Sequence, residues 1–173
     1  MVKFSLLENA LDSVEIGLEY FSKARKGHDR KDYKQCLLNL FQAAELLLKA
    51  VVSRQEARII FNPKSLIKHC RNPEYPTEYE LHRCQSVNIE QLCKLLAEHY
   101  PCAFSDTAFN IMKAVAQMRN NIQHFAIATE PQYLSLQLQE LYQQVFRPAF
   151  LIIQSDETES SWNSNLRQNI IES

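Results

Sequence analysis

Glycine is almost missing from this sequence: Gly17 and Gly27 are the two present among 173 residues. β-Hairpins, phosphate-binding loops and dinucleotide-binding turns need glycine at fixed positions, because the backbone there adopts angles that a side chain disfavours. The scarcity therefore argues against sheet-rich and nucleotide-loop architectures and favours helices.

Long apolar runs and targeting signals are also missing. No run reaches the roughly 18 residues that a membrane-spanning helix needs, and residues 1–10 lack the charged-then-apolar layout of a signal peptide. We therefore expect a cytoplasmic protein with no membrane partner, and nothing in the sequence calls for a cofactor. Five cysteines without a secretion signal favour reduced thiols over a disulfide framework.

Charge of either sign is not in excess, since the formal net charge is -1, but it is unevenly placed. Residues 154–173 carry four acidic residues against one arginine, a net of -3, so the rest carries +2. This bias permits RNA binding without predicting it. The terminal segment is also rich in Ser and Asn, so we predict one domain over residues 1–153 and a flexible acidic tail over 154–173.

Apolar residues recur at steps of three and four, the spacing that places them on one face of a helix. The predicted helices cover residues 4–26, 31–54, 88–99, 105–125 and 131–153. Asp29 and Asn88 are expected to cap helices, and Gly27 to end one in the left-handed conformation. The segment 58–61 is expected to be an extended connector, and 73–86 an excursion without a clear period. The predicted fold class is an all-α, up-and-down bundle of four to five helices.

The fourth predicted helix has the most regular apolar stripe, formed by Ala108, Ile111, Val115, Met118, Ile122 and Phe125. We expect Ile111, Val115, Met118 and Ile122 to be buried. Residues four apart lie about 40° from each other around a helix, so Asn120 and His124 should share the outward face. Arg119 flanks the stripe and has the reach to join them. An outward cluster needs a second wall, most naturally from a symmetric partner chain, so a homodimer is expected.

Two segments carry a resemblance to a known family. Residues 119–124 read RNNIQH, which is similar to the R-x4-6-H motif that HEPN proteins carry on a late core helix, with a polar residue after the arginine. Residues 43–50 read AAELLLKA and resemble the apolar, lysine-terminated segment of the second HEPN helix. The order of helices over roughly 4–153 also resembles that of the family. HEPN proteins are compact helical bundles and commonly dimers, so the resemblance implies a HEPN-like bundle.

The resemblance implies a metal-independent endoribonuclease of the toxin or defence type, with Arg119, Asn120 and His124 as catalytic residues and RNA as substrate. The ribose 2′-OH would attack the adjacent phosphate at a cleft between two protomers. Histidine, with an ordinary pKa of about 6.5, exchanges protons near neutral pH. Arginine stays charged and binds phosphate oxygens in the transition state. Asn120 would orient either group or bind a phosphate oxygen.

Alternatives remain open. The alternative hypothesis is a non-catalytic HEPN-like module that binds RNA, nucleotide or a partner protein. In that case Arg119 and His124 are solvated surface residues. In some family toxins a cognate nucleotidyltransferase antitoxin modifies a tyrosine two residues after the histidine. Here Phe125 and Ala126 follow His124, which argues against that form of control.

Two further clusters of polar residues could have a function. The first cluster offers soft ligands for zinc, although their spacings match no known zinc motif. Its members are His69, Cys70, His82, Cys84, Cys93, His99 and Cys102. A basic cluster surrounds the turn between the first two helices, either as solvated surface or as an RNA contact: Lys23, Arg25, Lys26, His28, Arg30, Lys31 and Lys34.

Overall fold

The computed structural model describes residues 5–27, 29–124 and 131–155, with the backbone alone for 123, 124 and 131–133. The helices are α1 (Leu6–Gly27), α2 (Arg30–Ser53), α3 (Pro63–His69), α4 (Glu78–Leu81), α5 (Ile89–His99), α6 (Asp106–His124), α7 (Pro131–Leu141) and α8 (Arg147–Gln154). A 3₁₀ turn covers Ala57–Ile60 and a π-helical turn covers Tyr142–Phe146. Within these ranges no strand forms, and Phe61 and Ser86 make an isolated antiparallel bridge. The predicted all-α helical bundle is confirmed. Four of the predicted helices match α1, α2, α5 and α6 to within two residues, and the fifth spans α7, the π-helical turn and α8.

The helices α1 and α2 pack along their lengths as an antiparallel hairpin. Gly17 lies at the closest approach, where a Cβ atom would fall 2.6 and 2.7 Å from two side-chain carbons of Leu40. Gly27 stays helical and is not left-handed, so that expectation was wrong. Asp29 caps α2 as predicted, because its Oδ1 accepts a hydrogen bond from the Lys31 N–H at 2.8 Å.

The central element of the bundle is α2, which packs against α1, α5, α6 and α8. Within the described ranges, α2 is the one helix that is long and apolar enough to cross a membrane, by length and composition alone. However, 67% of its apolar window is buried inside the bundle. A helix that is apolar on most sides is what a surrounded core position requires, so burial in the bundle accounts for the composition.

The connection between α2 and α5 contains structure that the sequence patterns did not predict. Residues 57–60 form a 3₁₀ turn rather than an extended connector, which brings Ile60 into the core while Phe61 pairs with Ser86. Within the predicted excursion, Thr77 and Glu80 form a reciprocal capping box that starts α4. Asn62 caps α3. Four- and seven-residue helices are too short to show a hydrophobic period.

The last helix runs from α7 through the π-helical turn into α8. At the turn the Arg147 N–H bonds to the Tyr142 carbonyl, five residues earlier. Pro148 explains the widening, because proline lacks an N–H and its ring clashes with the carbonyl four residues before it in a regular helix. Gln154, placed in the tail by the prediction, is the last residue of α8. The remainder of the predicted tail, 156–173, lies outside the described residues.

Candidate functional site

The site predicted on α6 lies where that helix passes the middle of α2. The Tyr100 hydroxyl donates to the Val51 carbonyl at 3.0 Å, which places the α5–α6 connection beside the C-terminal part of α2. Further along α6, Arg119 Nη1 donates to Glu45 Oε2 at 2.9 Å. These two contacts therefore lie at the C-terminal part of α2 and near its middle.

The face that α6 buries differs in part from the predicted stripe. Val115 and Ile122 are buried as predicted, but Ile111 and Met118 are half-buried at the edge of the core. Met112, outside the predicted stripe, is 1% exposed. Because α6 contacts α2, α5 and α7, several neighbouring helices together determine which of its residues are buried.

The three predicted catalytic residues differ in exposure and in how much of each the structure describes. Asn120 is exposed, as predicted, and Arg119 is half-buried. His124 is the last residue of α6, and its side chain lies outside the described part of the structure. In the structure, Arg119 therefore has Glu45 as its ion-pair partner, and Asn120 lies at the surface next to Arg119 in the sequence.

Glu45 is the carboxylate that joins the surface arginine to a buried lysine. Its Oε2 accepts from Arg119, and its Oε1 lies 2.6 Å from the Lys49 ammonium one turn later on α2. Lys49 also donates to the Ser86 hydroxyl at 2.9 Å. The side chains of Arg119, Glu45 and Lys49 are 39%, 22% and 7% exposed, so the network leads from solvent into the bundle.

The burial of Lys49 determines the electrostatics of this network. An ammonium removed from water is strongly destabilising unless a counter-charge and hydrogen-bond acceptors surround it. Glu45 supplies the counter-charge and Ser86 a further acceptor. Glu45 is thus fixed from the interior side and holds Arg119 at the surface. A guanidinium has five N–H donors, of which the bond to Glu45 uses one, so the arrangement suits recognition of an anion such as a phosphate.

Sequence reasoning did not assign Glu45 and Lys49 to the site, although a signal was present. They are charged residues four apart within the apolar face of the central helix, in the favourable order of Glu before Lys. A charge pair in an otherwise buried stripe is unusual and marks these two residues as candidates for a polar site. The participation of Ser86 had no comparable signal.

The structure brings together two of the residues considered for zinc. The Sγ atoms of Cys70 and Cys84 lie 3.6 Å apart, and desolvation together with this S–H contact raises the pKa of Cys70 to about 11. Cys93 is buried in α5. Among the residues that the structure describes, no group of three or more His, Cys, Asp or Glu could hold a metal ion. The zinc alternative therefore has no ligand set there.

Comparison with protein-family models, with curated proteins and with solved structures found no match for this chain. The class of protein that the fold defines is an all-α helical bundle. Its distinguishing site is the ion-pair network at the crossing of α2 and α6.

Proposed function

We propose that this chain is a metal-independent endoribonuclease of the HEPN toxin or defence type, with Arg119, Asn120 and His124 as catalytic residues. The observation that carries the proposal is the fixed position of Arg119, held by Glu45 at 2.9 Å on the rim of the bundle. An arginine anchored in this way is pre-positioned for a phosphate oxygen, which increases its effect on a transition state. Asn120 is exposed next to it, and His124 follows one turn later on the same helix.

In the proposed reaction, the ribose 2′-oxygen attacks phosphorus while its proton passes to a base, and the 5′-oxygen leaves as it takes up a proton. The products are a 2′,3′-cyclic phosphate and a 5′-hydroxyl. His124 transfers protons, Arg119 stabilises the added charge on the phosphate oxygens, and Asn120 orients the phosphate. Glu45 is a positioning residue that acts through Arg119.

The proposal includes a HEPN-like, up-and-down arrangement of the bundle and a homodimer in the cytoplasm. A single protomer presents Arg119 and Asn120 on an open surface, so a second protomer would supply the facing wall of the cleft. A cognate nucleotidyltransferase-type antitoxin would need another way of control, because Ala126 stands where the modified tyrosine would be.

The second candidate is a non-catalytic HEPN-like module that binds RNA, nucleotide or a partner protein. The same ion pair favours it in one respect, because an Arg119–Glu45 bond also ties α6 to α2 as a purely structural contact would. The two candidates differ in what the loss of His124 changes. A structural tie does not need the histidine, whereas proton transfer does.

The test is incubation of the purified protein with total RNA in EDTA, with analysis of the product ends. We expect cleavage with 2′,3′-cyclic phosphate ends, and a loss of about a hundred-fold or more in His124→Ala and in Arg119→Ala. Lys113→Ala, an exposed change elsewhere on α6, is the matched control and should keep full activity. A requirement for divalent metal, or near wild-type cleavage by His124→Ala, would reject the ribonuclease and leave the binding module.

A further inference from the structure

Positive charge is concentrated at the end of the bundle where α1 turns into α2. Residues 23–34 contain six lysines and arginines against two aspartates, a net of +4 in a chain whose total is -1. All six are exposed: Lys23, Arg25, Lys26, Arg30, Lys31 and Lys34. The turn between α1 and α2 brings these cations to one end of the hairpin. The rest of the chain is net negative, so this end differs from it in the sign of its charge.

Most of this charge is not neutralised locally. Lys23 pairs with Glu19 at 2.6 Å, and Asp29 is engaged in capping α2. Within the described part of the chain, Arg30, Lys31 and Lys34 make no ion pair. These three cations are therefore available to an external anion.

The position of two of these cations opposes helix stability. Arg30 and Lys31 occupy the first turn of α2, where the helix dipole places partial positive charge and where acidic residues stabilise. Helix formation gains nothing from these two cations, because neutral residues at their positions would suit the helix dipole better.

The cations of α2 lie on the same side of the helix as the site. At about 100° per residue, Lys34 lies about 20° and Lys31 about 40° from Glu45 around the axis, and at about 1.5 Å per residue they lie roughly 16 to 21 Å from it along the axis. Because Glu45 holds Arg119, Lys31 and Lys34 lie on the side of α2 that carries the arginine. That distance is suited to several nucleotides of a single strand.

We propose that Arg30, Lys31 and Lys34 form a phosphate-binding surface that holds single-stranded RNA so that it continues to Arg119. The inference rests on the proposed function and names where its substrate is held. A membrane surface fits less well, because the large apolar side chains that are exposed in the described ranges all lie outside residues 23–34, whereas interfacial helices insert such side chains beside their cations.

The test uses a fluorescent 12-nucleotide RNA with 2′-O-methyl riboses, which cannot be cleaved by 2′-OH attack, so that binding is measured apart from chemistry. One triple variant changes Arg30, Lys31 and Lys34 to Gln. The matched control changes Lys64, Lys68 and Lys94 to Gln, which removes the same charge from exposed positions elsewhere. Anisotropy titrations are made at several salt concentrations.

We expect the first triple variant to bind at least about ten-fold more weakly at 0.1 M salt and its salt slope to fall by about 2, because each lost phosphate contact contributes about 0.7. The control should bind within two-fold of wild type, and the first variant should melt no lower than wild type. Equal losses in both variants, or wild-type binding and salt dependence in the first, would overturn the proposal. Binding to phosphatidylserine vesicles but not to RNA would also overturn it.

The same samples separate this inference from the proposed function. The Lys64, Lys68 and Lys94 control should keep both RNA binding and cleavage. If only the first triple variant loses RNA binding and wild type cleaves no RNA, the ribonuclease fails while the binding surface stands. If wild type cleaves RNA and the first triple variant cleaves and binds equally well, the surface fails while the ribonuclease stands.

Discussion

Replacing Glu45 with Gln tests the ion-pair network with almost no change in side-chain shape. The change removes the negative charge that compensates Lys49, whose ammonium lies 2.6 Å away and whose side chain is 7% exposed. Removing one partner of a fully buried pair costs about 3–5 kcal/mol. Because Glu45 is 22% exposed and Ser86 still accepts from Lys49, we expect a loss of about 2–3 kcal/mol, at or just below the lower end of the range for a buried pair.

The neighbouring changes should have smaller effects. Arg119→Ala should cost at most about 1 kcal/mol, since its side chain is 39% exposed and solvent screens the pair. Lys49→Met should cost about 1 kcal/mol, because Glu45 keeps Arg119 and the apolar chain fills the same space. The double variant Glu45→Gln with Lys49→Met should lie within about 1 kcal/mol of wild type, because no uncompensated buried charge remains.

Urea unfolding followed by circular dichroism gives the free energies, and thermal melts should show the Glu45→Gln variant about 5–10 °C below wild type, at roughly 2–4 °C per kcal/mol for a chain of this size. The double-mutant cycle isolates the pair, with an expected coupling of at least about 2 kcal/mol. Additive effects of the two changes, or a loss of less than about 1 kcal/mol for Glu45→Gln, would refute the buried-charge argument.

Three further outcomes are expected. Gly17→Ala should lower stability by about 1 kcal/mol in urea unfolding, because overpacking against Leu40 outweighs the gain in helix propensity; Gly27→Ala, with nothing within 4 Å of its Cβ, is the control and should not destabilise. At pH 8 a thiol reagent should label exposed Cys102 in the native protein while Cys36 stays protected, because burial raises the pKa of Cys36 to about 12. Equal labelling of Cys36 and Cys102 would contradict the burial of Cys36. Because the pKa of the Cys36 thiol is higher in the folded chain than in the unfolded one, the stability that this thiol contributes is fully present below about pH 9 and is lost as the pH rises towards 12. Light scattering at micromolar concentration should give a dimer mass, and a monomer mass unchanged by RNA would count against the two-protomer cleft.

The long helices could be predicted because each presents many turns of apolar residues at helical spacing. The caps at Asp29 and Asn88 were predictable for a local reason, since a short polar side chain satisfies the free N–H groups next to it. The capping box at Thr77 is equally local, although it was not predicted. Local physics therefore accounts for where these three helices begin.

What could not be predicted depends on which helices meet. The burial of Met112 in place of Ile111 is decided by several neighbours of α6, none of which is visible in the sequence of that helix. The bond between Arg119 and Glu45 joins residues 74 positions apart, and a motif on one helix does not indicate its partner on another. The predicted motif named the arginine, and the fold supplied the carboxylate that holds it.

The buried lysine has a consequence for how Arg119 could exchange partners. Glu45 and Lys49 together carry no net charge, so the local sum at the rim is the single positive charge of the guanidinium. If a phosphate draws Arg119 away, Glu45 keeps a counter-ion at 2.6 Å and is not left as a lone carboxylate facing the incoming anion. Without Lys49, the same carboxylate would repel the phosphate and hold the arginine back. The interior ammonium thus lowers the electrostatic barrier to transferring the guanidinium from a protein partner to an external one.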